Sequence, residues 1–312
     1  MNLLALALCL GLPASAASRP AEILRASAAA FEAKEFRKVV DGLTEENLQR
    51  LRYRDLPEAY ILLGRSHEQL DANDKALGIY QLAEGLFPKN VNILSYWADL
   101  LHRIGLDDRA RPVYDRILKL RPGNALANLG MAEISLHFGF LDRAADHYET
   151  ALNEWDTNPS IWRAFAEVLS LRRDHARAIA AIERSISLGP DPESTYALAR
   201  FQRAAGRTEE AYANLAAAIA ANPGRDDLPH RRALWLLADG KLDDCLAEAE
   251  AALKRSGEDD PLALWLRASV RLRQGRATEA RKDLERAALF EVEAPFVASV
   301  SKAMLESLRG AP

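Results

Sequence analysis

Residues 57–90 read PEAYILLGRSHEQLDANDKALGIYQLAEGLFPKN, and the chain keeps returning to that pattern. Its fixed points are Tyr60, Leu63, Gly64, Ala76, Tyr80, Ala83 and Pro88. A shift of 34 residues brings Leu94, Trp97, Ala98, Ala110, Tyr114, Ile117 and Pro122 onto the same places. The frame continues as 91–124, 125–158 and 159–191, drops one residue, and resumes as 192–225 and 226–259. A one-residue slip then gives 261–294, and a degenerate first copy occupies 20–53 ahead of a three-residue insertion. Self-similarity at such a period signals a stack of like units, none of which can bury its apolar face alone.

The columns of this alignment identify the unit. Position eight holds Gly64, Ala98, Ala132, Ala166, Ala199, Ala233 and Ala268. Position twenty holds Ala76, Ala110, Ala144, Ala178, Ala211, Cys245 and Ala280. Two columns of small side chains mark where the two helices of a hairpin cross closely. Position twenty-four is large (Tyr80, Tyr114, Tyr148, Ile182, Leu215, Leu284) and fills the space between hairpins. Gly105, Gly139, Gly206, Gly240 and Gly275 suit a left-handed cap at the end of the first helix. Pro88, Pro122, Pro190 and Pro223 stop the second helix.

This column set resembles the tetratricopeptide repeat, a helix–turn–helix unit. The resemblance covers residues 57–294. It implies an all-α, right-handed superhelical solenoid of about eight repeats, counting the degenerate copy at 20–56. Beyond it, Phe296, Val297, Val300, Met304 and Leu308 form one apolar stripe over 295–309, expected to be a helix that caps the last repeat.

Composition narrows the function classes. Apolar residues make up 49% and charged residues 28%, ample for a core in a soluble chain. Lys and Arg number 41 against 45 Asp and Glu, so nothing favours nucleic acid as a partner. An apolar run at 3–12, then Pro13, Ala14, Ser15 and Ala16, reads as a cleaved signal peptide over residues 1–16. Ten apolar residues fall short of the roughly 20 that cross a bilayer. The mature chain is therefore expected to be exported, periplasmic or secreted, without an integral membrane span. It would retain Cys245 alone, unable to form an intrachain disulfide and expected to act as a small hydrophobe.

No phosphate loop, zinc-binding helix motif, paired CxxC or nucleophile elbow is present, and no cofactor is implied. His67, His102 and His137 recur every 35 residues against a repeat of 34, so they point in different directions and imply no metal site. The family resemblance implies instead a partner held on first-helix positions two, five, nine and twelve, which line the concave face. Read out here, they give Arg163, Tyr196, Arg200, Arg203, His230 and Trp265 as candidate peptide- or partner-binding residues. Leu234, Leu237 and Leu272 would supply an apolar floor. In this reading the arginines hold an anionic element and Trp265 holds an apolar anchor. A competing reading makes them solvated arginines with Glu167 and Glu193 as surface partners.

The Lys and Asn set of the family's carboxylate-clamp branch is absent. Exported members of the family resemble accessory factors of bacterial envelope assembly. The expected function is a non-catalytic scaffold or adaptor for a protein or peptide partner, with self-association as a further use of the groove. An enzyme or carbohydrate-handling protein with its site in the groove is the alternative; it would need converging acid and base residues, which are not legible here.

Overall fold

A helix begins where a short polar side chain can hold its first free N–H groups. Asn90, Asn124, Asn158, Asp191 and Asp260 each stand just before a first helix, and each accepts a hydrogen bond from that helix's backbone. The geometry is tight, with Asn124 accepting from Ala127 N–H and Asp260 from Ala263 N–H, both at 2.9 Å. The computed structural model describes residues 20–225, 227–257 and 259–309. The expected leader lies outside them. Among the described residues the secondary structure is helical, with no strand.

The chain divides into two compact units, Met1–Thr157 and Asn158–Pro312. Unit 1 contains α1 (Pro20–Glu32), α2 (Phe36–Gly42), α3 (Glu45–Arg50), a short 3-10 turn (Tyr53–Asp55), α4 (Leu56–Gln69) and α5 (Asn73–Leu86). It continues with α6 (Val91–Arg103), α7 (Asp107–Leu120), α8 (Ala125–His137) and α9 (Leu141–Leu152). Unit 2 contains α10 (Pro159–Leu171), α11 (His175–Leu188), α12 (Pro192–Ala204), α13 (Thr208–Ala221) and α14 (Asp227–Ala238). Its remaining helices are α15 (Leu242–Ser256), α16 (Pro261–Arg273), α17 (Ala277–Ala287) and α18 (Pro295–Arg309). Within each unit, helices adjacent in sequence pack on one another as a stack of hairpins.

The crossing columns are where the sequence places them. Ala98, Ala110, Ala166, Ala178, Ala268 and Ala280 have no exposed surface, and neither does Cys245. Burial pushes the Cys245 thiol up to about 11, so it is held neutral as a small apolar group. Tyr80 and Tyr114 fill the space beside the crossings so closely that a Cβ on Gly64 would stand 2.4 Å from the Tyr80 ring. One on Gly130 would stand 2.2 Å from the Tyr114 ring.

Position fifteen is left-handed in every copy. Gly105, Gly139, Gly206, Gly240 and Gly275 have φ between +73° and +79°. Lys34, Asp71 and Arg173, at the same position of repeats one, two and five, adopt φ of 59°, 56° and 63°. The turn thus sets the conformation even where the residue carries a Cβ, which costs roughly 1–2 kcal/mol in this region.

Two elements differ from expectation. The second helix of repeat one is split into α2 and α3, because Thr44 caps a new start by accepting from Asn47 N–H while the Asn47 amide donates to Gly42 O at 2.9 Å. In α18, Met304, Leu305 and Leu308 pack against Ala268, Ala280 and Leu284, but Phe296 is 78% exposed. The inner face passes through Val297, Ala298 and Ser301, which turns Phe296 outward.

His102 links three helices of unit 1. Its Nδ1 lies 2.6 Å from Asp107 and its Nε2 lies 3.0 Å from Glu133. Burial opposes the charged ring, but the two carboxylates outweigh it and raise its pKa above the ordinary 6.5. A raised pKa makes the link's contribution full below about 6.5 and removes it as pH climbs through the folded value. The stability difference between wild type and His102→Gln, measured by urea melts, should therefore be largest near pH 6 and shrink toward pH 9. A difference that stays constant or grows with pH would contradict this.

The packing yields a second test. Arg173→Gly should stabilise the protein by about 0.5–1 kcal/mol, since glycine enters the left-handed turn without strain and returns part of that gain as chain entropy. Gly130→Ala should destabilise it by about 1–3 kcal/mol, because the enclosed Tyr114 ring has no room to yield. Both are read from denaturant midpoints, and the opposite sign in either would refute the packing argument.

Candidate peptide-binding face

The first helices of repeats five, six and seven are α10, α12 and α14. Their side chains surround a cavity of about 480 Å³ in unit 2. Arg163, Tyr196 and Arg200, three of the residues expected from sequence, line it together with Arg231, Glu167 and Glu193. Arg203, His230 and Trp265 lie outside that lining.

Tyr196 organises the site. It is 8% exposed, and its ring stacks on Trp235 at 6.4 Å with 24° between planes. Trp235 in turn meets the edge of Tyr212 at 6.1 Å. Three guanidiniums cover this aromatic layer: Arg231 at 4.9 Å and Arg200 at 5.8 Å from the Tyr196 ring, and Arg203 at 4.9 Å from Trp235. The negative face of an aromatic ring attracts such cations, by about 0.5–1 kcal/mol where exposed. Arg231 also donates to the Tyr196 hydroxyl at 2.9 Å.

Each expected cation has an acidic partner within the chain. Arg200 donates to Glu167 at 2.7 Å, and Arg163 lies 3.3 Å from Asp191. Arg203 makes a two-pronged contact with Asp239 at 2.6 and 2.7 Å, and the Tyr212 hydroxyl donates to the same carboxylate at 2.7 Å. Arg203 holds the Asp239 carboxyl below the usual carboxylate range, while burial and Asp239 push Tyr212 up to about 12. The surface-partner reading is therefore right for Arg200 and Glu167, but Glu193 pairs with Arg225 instead.

His230 lies 2.6 Å from Asp260, the residue that caps α16. Burial of Asp260 opposes its ionisation, but the His230 hydrogen bond and two backbone N–H groups keep its pKa low. His230 thus ties two repeats together. Trp265 corrects the sequence reading more sharply. It is partly buried between the Leu237–Cys245 cluster and the Ala268–Ala280–Leu284 cluster, and its indole nitrogen is enclosed with no hydrogen-bond partner. The indole fills much of the gap between hairpins there, so only part of its surface remains open to a ligand.

Sequence reasoning missed Arg231, which stands on α14 at position six, off the expected stripe. An alternation of aromatic and arginine residues across repeats six and seven was the available signal.

A tetratricopeptide repeat model matches residues 97–159 and 230–298. No curated protein matches the chain in sequence. Among solved structures, a tetratricopeptide repeat protein from Parabacteroides merdae aligns with a TM-score of 0.54 at 17% identity, over 80% of this chain and 97% of its own. PilW, described as a widely conserved type IV pilus biogenesis factor, gives 0.55 at 17% identity, over 67% of this chain and 96% of its own. A MamA fragment from Desulfovibrio magneticus gives 0.50 at 15% identity, over 55% and 97%. At these identities the likeness is one of fold.

Proposed function

We propose, from the premise that this chain belongs to the tetratricopeptide repeat family, that it is a non-catalytic scaffold which holds an acidic peptide segment of a partner protein. The observation that carries the reading is the cavity between α10, α12 and α14, where Arg163, Arg200 and Arg231 surround Tyr196. Arginine and tyrosine are the residues on which binding energy concentrates. The three side chains remain 39%, 41% and 48% exposed, so a ligand can reach them. Ion pairs that open to solvent contribute about 0–1 kcal/mol. A ligand carboxylate can therefore replace Glu167 on Arg200, or Asp227, which lies 3.3 Å from Arg231, at little cost, while its backbone and apolar atoms add the net affinity.

Arg200→Ala combined with Arg231→Ala should weaken capture of the partner from an envelope extract at least tenfold, about 1.4 kcal/mol. The residual binding should depend less on salt, because the charges most open to screening are gone. Melting curves should hardly move. Unaltered capture by the double variant would refute the site.

The finer reading places the work in bacterial envelope assembly. It is supported by the apolar run and small-residue pattern that end at Ala16, and by the fold shared with a pilus biogenesis factor. No described helix is long and apolar enough to cross a membrane. Protein recovered from a periplasmic fraction should begin at Ala17 or Ser18 on N-terminal sequencing. Met1 intact on cytoplasmic protein would overturn the export reading.

A further inference from the structure

The turn between the two helices of repeat four reads His137, Phe138, Gly139, Phe140. At the same two turn positions repeats two and three carry Leu70 and Ala72, and Ile104 and Leu106, while the repeats of unit 2 carry Arg172 and Asp174, Ala205 and Arg207, Asp239 and Lys241, and Gln274 and Arg276. Repeat four instead sets two phenylalanines there, 50% and 52% exposed. Half-exposed rings return little folding energy, and here they stand together at the mouth of a cavity of about 420 Å³ between α7, α8 and α9. Met131 and Ile134 line its inner side.

Arg111 and Arg143 complete the lining. Position twenty-one, where Arg111 stands, is Leu77, Ala145, Ile179, Tyr212 and Leu246 in repeats two, four, five, six and seven, and Arg281 in repeat eight. Arg143 lies over the Phe140 ring at 5.5 Å. Among the described residues neither guanidinium forms an ion pair, unlike the arginines of the face in unit 2. Asp115 is the one carboxylate in the lining, and among the described residues it forms no ion pair with either. The cleft thus sets four apolar side chains, Met131, Ile134, Phe138 and Phe140, beside two exposed arginines that form no ion pair among the described residues.

We propose that this cleft is a second docking site, for a partner segment carrying bulky apolar side chains flanked by carboxylates. The apolar side chains would sit between Phe138 and Phe140 over Met131 and Ile134, and the carboxylates would meet Arg111 and Arg143. Charge complementarity selects this occupant, since a basic or neutral apolar segment would leave both cations unpaired. The proposal is independent of the reading of α10, α12 and α14.

The test uses the full mature chain and a fluorescein-labelled peptide, Gly-Ser-Glu-Leu-Phe-Glu-Ser-Gly, read by fluorescence anisotropy. Wild type should bind it saturably, and at least tenfold more tightly than the same peptide with Gln for both Glu. In the Arg200→Gln, Arg231→Gln background, which removes the other site for an acidic peptide, Arg111→Gln with Arg143→Gln should weaken binding at least tenfold, as should Phe138→Ser with Phe140→Ser. Arg200→Gln with Arg231→Gln should leave an affinity for this cleft intact, which separates the two sites. The arginine pair keeps the test open if the phenylalanine variant does not fold, because both side chains lie at the surface. Three results would overturn the proposal. They are no saturable binding by wild type, equal binding by the Arg111 and Arg143 variant, or a wild-type dimer by light scattering that the phenylalanine changes turn into a monomer. The last would make the cleft a contact between copies of this chain.

Discussion

The two helices of each hairpin meet through side chains that end at Cβ or have none. Gly64, Ala98, Ala110, Ala166, Ala178 and Ala280 are buried in these contacts. Everything else in the hairpin depends on that closeness. The tyrosines at position twenty-four can span the remaining gap only because the crossing leaves a gap of their size, as the short distances from Gly64 and Gly130 to Tyr80 and Tyr114 record. The left-handed residue at position fifteen is the second half of the constraint. It reverses the chain within a few residues and returns the second helix at the angle the small side chains allow.

A division of labour at the repeat ends shapes the rest. Asp191 and Asp260 each hold the start of the next helix and also receive a side chain from position five of the preceding one, Arg163 and His230. A row that could serve a ligand is thereby partly used by the chain to join one repeat to the next. Tyr196 holds the same position with an uncharged side chain. It takes part in a layer with Trp235, and the cations gather over that layer.

Much of this was legible because it is periodic. The crossing columns, the turn glycines and the stopping prolines recur with the period of the stack, so one sequence supplied its own comparison. Lys34, Asp71 and Arg173 hid their turns, since a residue with a Cβ gives no hint of positive φ. The break between α2 and α3 was not visible either, because it rests on a single threonine cap in a copy that has lost the columns. The site was harder still. Which carboxylate an arginine reaches depends on rotamers and on neighbouring repeats, so Glu193 went to Arg225 and Arg231 joined from off the stripe. Trp265 stood at the groove register but is large enough to serve two hairpins at once.

Cys245 carries a consequence of a different kind. It is the free thiol among the described residues, it has no exposed surface, and burial keeps it protonated. Thiol reagents attack the ionised sulfur, so modification must wait until α14 and α15 part. When such openings close faster than the reagent reacts, the labelling rate reports their equilibrium; when they close slowly, it reports how often they occur. The chain therefore contains its own stopwatch for the breathing of one hairpin, set by a single sulfur atom in the place of an alanine.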